Sequence, residues 1–227
     1  MSTWAIVPVK PFNRAKSRLA VALPPEVREH LAAAMLRRTV SLLVACSEIT
    51  GVLVVSRDNR ALVIARQEGA RTVQESGAPE LNNALARAGQ VVTSWGARAS
   101  LILPADLPLL TMNDIREMIH LGRYHRSVVI VPDRRGEGTN ALLMRPPCLI
   151  PCAFGGSSFG RHMQLAQEAA ATLHVFRSER LMLDLDTPDD LIAYLALCKK
   201  YSMEPLADFE PAQPLPVAST SHQENTP

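Results

Sequence analysis

Short apolar runs rich in β-branched residues alternate with longer segments of helical periodicity over the first 200 residues of the chain. Seven of the runs have the length and composition of strands, at residues 4–9, 51–56, 70–74, 100–103, 128–131, 140–144 and 172–176. Five of the longer segments have the pattern of helices, at residues 25–46, 79–95, 111–121, 159–171 and 188–200. Because parallel strands are joined through helical crossovers, this alternation predicts a single three-layer α/β domain with a mostly parallel, Rossmann-like sheet.

The composition changes abruptly at residue 203. Residues 203–227 contain five prolines and four acidic residues but neither Lys nor Arg. We predict a folded domain over residues 1–202 and a disordered, acidic, proline-rich tail beyond it, because the tail has too little apolar surface to form a core. Without the four acidic residues of the tail, 18 of the 22 remain against 24 basic residues, so the domain carries +6. A basic domain suits a ligand with several phosphates.

Charge and hydropathy argue against two classes of partner. The whole chain has a net charge of only +2 and no long block of one sign, so we expect no nucleic-acid-binding surface. No apolar run approaches the ~18 residues that cross a bilayer, and the N-terminus lacks the pattern of a signal peptide. We therefore expect a cytoplasmic protein that acts on small molecules. The sequence leaves its oligomeric state open.

Cations concentrate in the segment that follows the first predicted strand. Open α/β sheets bind ligands beyond the carboxyl ends of their strands, and residues 10–19 at that edge include Lys10, Arg14, Lys16 and Arg18. We predict that Lys10, Lys16 and Arg18 bind a nucleotide triphosphate and that Lys16 and Arg18 stabilise the transferring phosphoryl group in catalysis. A solvated basic turn explains the same composition, and the glycine spacing of a P-loop is absent.

Three aspartates are candidate magnesium ligands. Asp106 directly follows the predicted strand 100–103, and a rigid strand end would fix its carboxylate for Mg²⁺ and for catalysis; alternatively it caps the following loop. Asp184 and Asp186 lie two residues apart in an extended stretch, so both side chains share a face and could bind one ion. We prefer Asp186 of this pair. The residues after it have the signature of a helix N-cap.

A glycine- and serine-rich segment leads into the fourth predicted helix. Residues 153–162 would present free N–H groups and serine hydroxyls at a helix start, which is a typical anion site. A simple helix cap by Ser157 or Ser158 explains the serines almost as well. His162 lies further along this helix, and we predict no chemical role for it.

Several of these segments together resemble a known family, the 2-phospho-L-lactate and phosphoenolpyruvate guanylyltransferases of deazaflavin coenzyme F-420 biosynthesis. The matching motifs are A-I-V-P-V-K-P at 5–11, A-K-S-R-L at 15–19, L-P-A-D-L-P-L at 103–109, G-T-N-A-L at 138–142, F-G at 154–155 and L-D-L-D-T-P at 183–188. The tail is not part of the resemblance. Where the family usually has F-G-P-G-S-F, this chain has F-G-G-S-S-F at 154–159, so we expect a looser loop there.

The resemblance implies a fold of nucleotide-diphospho-sugar transferase type and a reaction in which GTP donates GMP to a small phosphorylated carboxylic acid. The acid's phosphate would attack the α-phosphorus of GTP, with pyrophosphate as the leaving group. By the same resemblance, the phosphorylated acid is bound by Thr139, Gly155 and Ser158, and Mg²⁺ is bound by Asp106, Asp184 and Asp186. Which acid is the natural substrate stays open.

Two other functions would use similar features. A nucleotidyltransferase for a sugar phosphate or a molybdopterin would share the sheet and the carboxylates, but such families normally begin with a glycine-rich loop, and residues 10–19 contain no glycine. A non-catalytic nucleotide-binding regulatory subunit would have no use for three carboxylates. The guanine-binding residues are also open. Residues 75–84, which follow the third predicted strand, are one candidate and are otherwise an ordinary loop and helix start.

Overall fold

Both faces of the central strands are apolar, which requires a layer of helices on each side of the sheet. In strand β1 (Thr3–Val9), Ala5 and Val7 pack into one hydrophobic cluster, and Trp4 and Ile6 pack into another on the opposite face. Strand residues alternate between faces, so each central strand contributes to both clusters. The two clusters form the cores of a three-layer domain.

The computed structural model describes residues 2–77 and 80–206. The other strands in this part of the chain are β2 (Gly51–Ser56), β3 (Arg71–Gln74), β4 (Ala99–Ile102), β5 (Ser127–Pro132), β6 (Thr139–Arg145) and β7 (Thr172–Val175). Its α-helices are α1 (Pro25–Ala45), α2 (Asn59–Gln67), α3 (Leu81–Ser94), α4 (Met112–Leu121), α5 (Ser158–Glu168) and α6 (Pro188–Tyr201). Two 3-10 turns, Phe12–Arg14 and Ser17–Val21, follow β1. None of the described helices has the length and apolar character of a bilayer span.

The sheet has the strand order β3-β2-β1-β4-β6-β5-β7. Helices α1, α2 and α4 cover one face, α3 and α5 cover the other, and α6 packs beside α1 in a third cluster. Among the described strands, only β6 runs antiparallel to its neighbours. The predicted three-layer fold with a mostly parallel sheet is therefore confirmed. Because β6 is reversed, it begins at the edge of the sheet where β1 and β4 end.

All seven predicted strands are present, each with bounds within one residue of the prediction. The five predicted helices are also present, although α5 ends three residues early and one residue of the predicted start of α3 lies outside the described part. The prediction was wrong in omitting α2. This helix has nine residues and buries only Ala61, Leu62 and Ala65, so its apolar pattern is too short to stand out. The side chain of Asp58 fixes its start by accepting the N–H of Arg60 at 2.8 Å.

The chain remains packed on the domain a few residues past the predicted boundary at 202. The N–H of Met203 donates to the carbonyl of Cys198 at 2.9 Å, and the N–H of Leu206 donates to Tyr194 Oη at 2.8 Å. Both side chains contact the third cluster. The rest of the predicted tail, residues 207–227, lies outside the described residues.

A buried ion pair fixes the segment that leads from β7 toward Asp184. Asp114 in α4 has a side chain that is 1% exposed, and it accepts hydrogen bonds from Arg180 Nε at 3.0 Å and Nη2 at 2.8 Å. Ser178 also donates to Asp114 at 3.1 Å. Asp114 and Thr111 together form the capping box of α4. Burial alone would raise the pKa of Asp114, but these partners, Arg180 foremost, lower it. The carboxylate therefore stays charged at neutral pH.

We predict that Asp114→Ala destabilises the domain, because Arg180 then loses its partner. Breaking a buried pair costs about 3 kcal/mol or more, and each kcal/mol lowers Tm by ~2–4 °C in a domain of this size. The variant should melt at least ~6 °C below the wild type in a thermal scan followed by circular dichroism. Glu179→Ala is the matched control, since Glu179 is exposed in its ion pair with Lys200 and its loss should hardly change Tm. Equal melting of both variants would contradict a stabilising role for Asp114.

Candidate active site

The edge of the sheet at which β1 and β4 end opens onto a cleft of about 880 Å³. Each candidate residue named from the sequence lines this cleft, although the residues come from distant parts of the chain. They are Lys10, Arg14, Lys16, Arg18, Asp106, Thr139, Gly155, Ser158, Asp184 and Asp186. The structure therefore brings all of them to one place.

The basic segment after β1 is anchored to the domain. Phe12 and Leu19 are buried, and the N–H of Phe12 donates to Asp58 Oδ2 at 2.8 Å. The other oxygen of Asp58 caps α2. A solvated turn would have no such attachments, so the backbone of this segment offers its cations a fixed position beside the cleft.

Lys16 differs from the other cations of this segment because its side chain is only 6% exposed. Its Nζ lies 3.1 Å from Asp106 Oδ2 and 2.8 Å from Asp186 Oδ1. Burial by itself lowers the pKa of Lys16, but the charges and hydrogen bonds of the two carboxylates raise it above its ordinary value. The ammonium group therefore stays charged and joins three separate segments of the chain.

The remaining cations, Lys10, Arg14 and Arg18, are exposed along the cleft. Their electrostatic effect reaches the carboxylates. Burial alone would raise the pKa of Asp186, but Lys16 lowers it below its ordinary value, with smaller effects from Lys10 and Arg18. The positive charge of the segment therefore acts on Asp186 in the cleft, although three of its four cations are exposed to solvent.

Asp184 and Asp186 face the cleft because the leucines that alternate with them face the core. Leu183 and Leu185 are both 0% exposed, and residues two apart in extended backbone share a face. The N–H of Leu185 donates to the carbonyl of Asp106 at 3.1 Å. This backbone contact brings the aspartate pair beside the segment that follows β4.

Asp184 carries the largest electrostatic perturbation among these carboxylates. Its burial, together with the charges of Asp106 and Asp186, raises its pKa to about 6. The side-chain amide of Asn140 donates to its Oδ1 at 3.4 Å. The buried ammonium group of Lys16 contacts Asp106 and Asp186 but not Asp184, which is affected by the negative charges of both, so negative charge is in excess around Asp184. Such an excess favours the binding of a further cation.

Thr139, the first residue of β6, is held by a histidine from α5. Its Oγ1 lies 2.9 Å from Nδ1 of the fully buried His162, and Nε2 of that ring accepts the N–H of Ala153 at 3.0 Å. The ring also packs against Phe154 with centroids 4.9 Å apart. Burial, and to a lesser extent the charge of Arg161, lowers the pKa of His162 to about 4. A single histidine in a helical pattern gives no sign of such partners, which is why the sequence suggested no role for it.

The loop before α5 presents unbonded polar groups to the cleft. Gly155 has φ +129°, a conformation that favours glycine. Ser157 occupies the N-cap position but its side chain makes no capping bond, and Ser158 is 1% exposed with no partner for its hydroxyl among the described residues. The N–H groups of Gly155 and Gly156 also make no hydrogen bond within that part of the chain. Helix capping therefore does not account for the serines.

Asn82 in α3 holds this loop from the other side. Its Oδ1 accepts the N–H of Phe154 at 2.8 Å and its Nδ2 donates to the carbonyl of the same residue at 3.1 Å. The loop is thus anchored despite lacking the family's proline. Asn82 belongs to the stretch 75–84, the candidate guanine-binding segment. Glu75 and Glu80 of that stretch line the cleft, whereas Asn82 supports the neighbouring loop.

Comparisons with known proteins identify the family of the chain. The family model described as "Guanylyl transferase CofC like" matches residues 3–204. A phosphoenolpyruvate guanylyltransferase from Rubrobacter xylanophilus is 41% identical over 191 residues, which cover 84% of this chain and 92% of that protein. A 2-phospho-L-lactate guanylyltransferase from Methanothermobacter thermautotrophicus is 35% identical over 191 residues, which cover 84% of this chain and 83% of that protein.

A solved structure gives the same fold at low identity. The chain matches a protein from Desulfovibrio desulfuricans G20, assigned as a nucleotide-diphospho-sugar transferase, with a TM-score of 0.73 and 14% identity. The match covers 92% of this chain and 93% of that structure. It confirms the predicted fold type, and the family model with its relatives confirms the predicted resemblance. The chain therefore belongs to the CofC-like guanylyltransferase family and is an enzyme of the nucleotidyltransferase class.

Proposed function

We propose that the enzyme transfers GMP from GTP to the phosphate of a small phosphorylated carboxylic acid, phosphoenolpyruvate or 2-phospho-L-lactate, in coenzyme F-420 biosynthesis. The observation that carries the proposal is that one cleft contains two chemically distinct groups. Cations and carboxylates suit a metal-bound triphosphate, and hydroxyl and N–H donors suit a small anion. The activities named for the two relatives support the same two substrates.

The cations divide between triphosphate binding and charge neutralisation. Lys10 and Arg18 are exposed beside the cleft and are free to contact phosphate oxygens. Lys16 is buried and fixed by its carboxylate partners, so it can act on a bound phosphate without first being ordered. A preorganised cation of this kind stabilises charge that develops during transfer.

Asp106, Asp184 and Asp186 are the proposed ligands of Mg²⁺. Within the described residues no three acidic, His or Cys side chains converge as a preformed metal centre, but the donor set fits. Mg²⁺ is typically held by one or two carboxylates together with substrate phosphates, and Asp106 and Asp186 already share one cationic neighbour, Lys16 Nζ. When bound, Mg²⁺ would supply Lewis-acid neutralisation of the α-phosphate.

The reaction requires positioning more than proton transfer. A phosphate oxygen of the acid forms a bond to the α-phosphorus of GTP, and the bond from that phosphorus to pyrophosphate breaks. The attacking phosphate is already ionised at neutral pH, so no general base is needed. This agrees with the state of His162, which contacts the cleft residue Thr139 and is buried and hydrogen-bonded through both ring nitrogens. The chain's contribution is to align the two substrates and to offset their negative charge.

Thr139, Gly155 and Ser158 are the proposed acid-binding residues. Ser158 is 1% exposed, and within the described chain neither its hydroxyl nor the Gly155 N–H makes a hydrogen bond. Thr139 lies at the start of β6 and lines the same cleft. These donors suit the phosphate or carboxylate oxygens of the acid, since hydrogen bonds to charged groups are the stronger ones.

Pyrophosphate release tests the proposed function directly. The enzyme, GTP and MgCl₂ should be incubated with phosphoenolpyruvate, with 2-phospho-L-lactate and, as the control acceptor, with glucose 1-phosphate. We expect pyrophosphate with at least one of the two acids and none with the sugar phosphate. Release with glucose 1-phosphate alone, or with no acceptor at all, would contradict the proposal. ATP and CTP in place of GTP test the choice of base.

We predict that Asp106→Asn keeps the fold but lowers Mg²⁺-dependent turnover at least ~100-fold, because the metal contributes several kcal/mol of charge stabilisation. Initial rates at varied MgCl₂, beside a melting curve, measure the effect. Asp189→Asn is the matched control, since Asp189 is exposed outside the cleft and its loss should leave turnover near that of the wild type. Near-wild-type turnover in a folded Asp106→Asn variant would remove Asp106 from the proposed site.

Thr139→Val and Ser158→Ala should each weaken use of the acid selectively. Loss of a hydrogen bond to a charged group costs roughly 1.5–3 kcal/mol, so kcat/KM for the acid should fall ~10- to 100-fold while KM for GTP hardly changes. The double variant should lose less than the sum of the two single losses, because both groups bind one ligand. Ser94→Ala is the control, as that serine is exposed and lies outside the cleft. Unchanged acid kinetics with lowered Tm in Ser158→Ala would indicate a purely structural serine.

A further inference from the structure

Among the described residues, His162 is the one fully buried histidine, and both of its ring nitrogens contact segments of the proposed acid-binding region. Nδ1 faces Thr139 Oγ1 at 2.9 Å, and Nε2 faces the backbone nitrogen of Ala153 at 3.0 Å. Thr139 and the loop that begins at Ala153 are the two separate segments that supply the proposed acid-binding donors. One imidazole therefore lies between them.

The partner of Nε2 determines where the ring proton must be. A backbone N–H can only donate, so the Ala153 contact requires an unprotonated Nε2 that accepts. A neutral imidazole carries its single hydrogen on the other nitrogen, which places that hydrogen on Nδ1. The contact with Thr139 is then a hydrogen bond that Nδ1 donates and Oγ1 accepts.

The direction of this bond determines what the threonine hydroxyl can do. A hydroxyl has one hydrogen and two acceptor positions, and His162 occupies one of the acceptor positions of Thr139. The hydroxyl hydrogen is thereby left available for a second partner, and Thr139 lines the cleft. If Nδ1 carried no hydrogen, the Thr139 hydroxyl could instead donate its hydrogen to Nδ1. It would then present only lone pairs to the cleft, and these would repel an anionic substrate.

We propose that His162 is a positioning residue that fixes Thr139 as a hydrogen-bond donor toward the phosphorylated acid. The inference rests on the proposed function, in which Thr139 binds that acid. The same ring holds the start of the loop that carries Gly155 and Ser158. His162 thus sets the donor direction in one segment and the position of the other, without itself touching the substrate.

Two amide variants separate the two contacts. In His162→Asn the side-chain amide nitrogen reaches the place of Nδ1 and can still donate to Thr139, whereas in His162→Gln the amide oxygen reaches the place of Nε2 and can still accept from Ala153. We expect His162→Gln to raise KM for the acid ~10-fold or more, because Thr139 then loses its hydrogen bond to the charged acid. KM for GTP should change little. His162→Asn should keep most of the acid affinity, since Asn82 still holds the loop through Phe154. His125→Gln, an exposed histidine, is the control.

Nitrogen-15 NMR of the substrate-free wild type supplies a test without turnover. The His162 ring, assigned in the wild type by correlation with its own backbone resonances, should show the Nδ1–H tautomer near neutral pH. An Nε2–H tautomer would overturn the inference even if neither variant folds. So would the reverse kinetic order, with acid affinity kept in His162→Gln and lost in His162→Asn, or a parallel loss of acid and GTP affinity. If the wild type itself releases no pyrophosphate with either acid, the proposed function fails, and the tautomer measurement still decides the hydrogen-bond direction.

Discussion

One buried ammonium group connects separate segments of the chain at the cleft. Lys16 contacts Asp106 and Asp186, which lie 90 and 170 residues further along the chain. A buried charge is strongly unfavourable unless it is paired, so Lys16 can be buried only when the segments after β4 and before α6 are both in place. In turn, those carboxylates can approach each other only because a cation lies between them. The cleft is therefore formed cooperatively by tertiary contacts.

The proposed acid-binding region depends on a different kind of support. Its donors are held by neutral hydrogen bonds from residues that do not themselves face a ligand, with Asn82 fixing Phe154 and His162 fixing Thr139. Buried polar groups of this kind are favourable only when each donor and acceptor is paired. Rigid supports of this sort hold binding groups in place before a substrate arrives. Ion pairs hold the lysine and aspartate part of the cleft in place, and neutral hydrogen bonds hold the part with Thr139 and the loop before α5.

The fold was largely predictable because its strands are buried on both faces and read as continuous apolar runs. The positions of the candidate residues also followed from chain order, since residues just after a parallel strand must lie at the ligand-binding edge. The pairing of Lys16 with two aspartates did not follow, because contacts between segments so far apart leave no periodicity. The role of His162 and the short helix α2 were missed for a related reason: each depends on neighbours that only the folded chain supplies.

The reversal of β6 has a consequence for how such an enzyme can diversify. The proposed triphosphate-binding residues Lys10, Lys16 and Arg18 come from the segment after β1, whereas Thr139 is the first residue of the reversed strand β6 and Ser158 begins the helix that follows it. Substitutions around the proposed acceptor site can therefore accumulate without disturbing these three cations. A change from one phosphorylated acid to another would then be a local event at the start of β6 and in the loop before α5, and selection could adjust the acceptor while the cations after β1 are inherited unchanged.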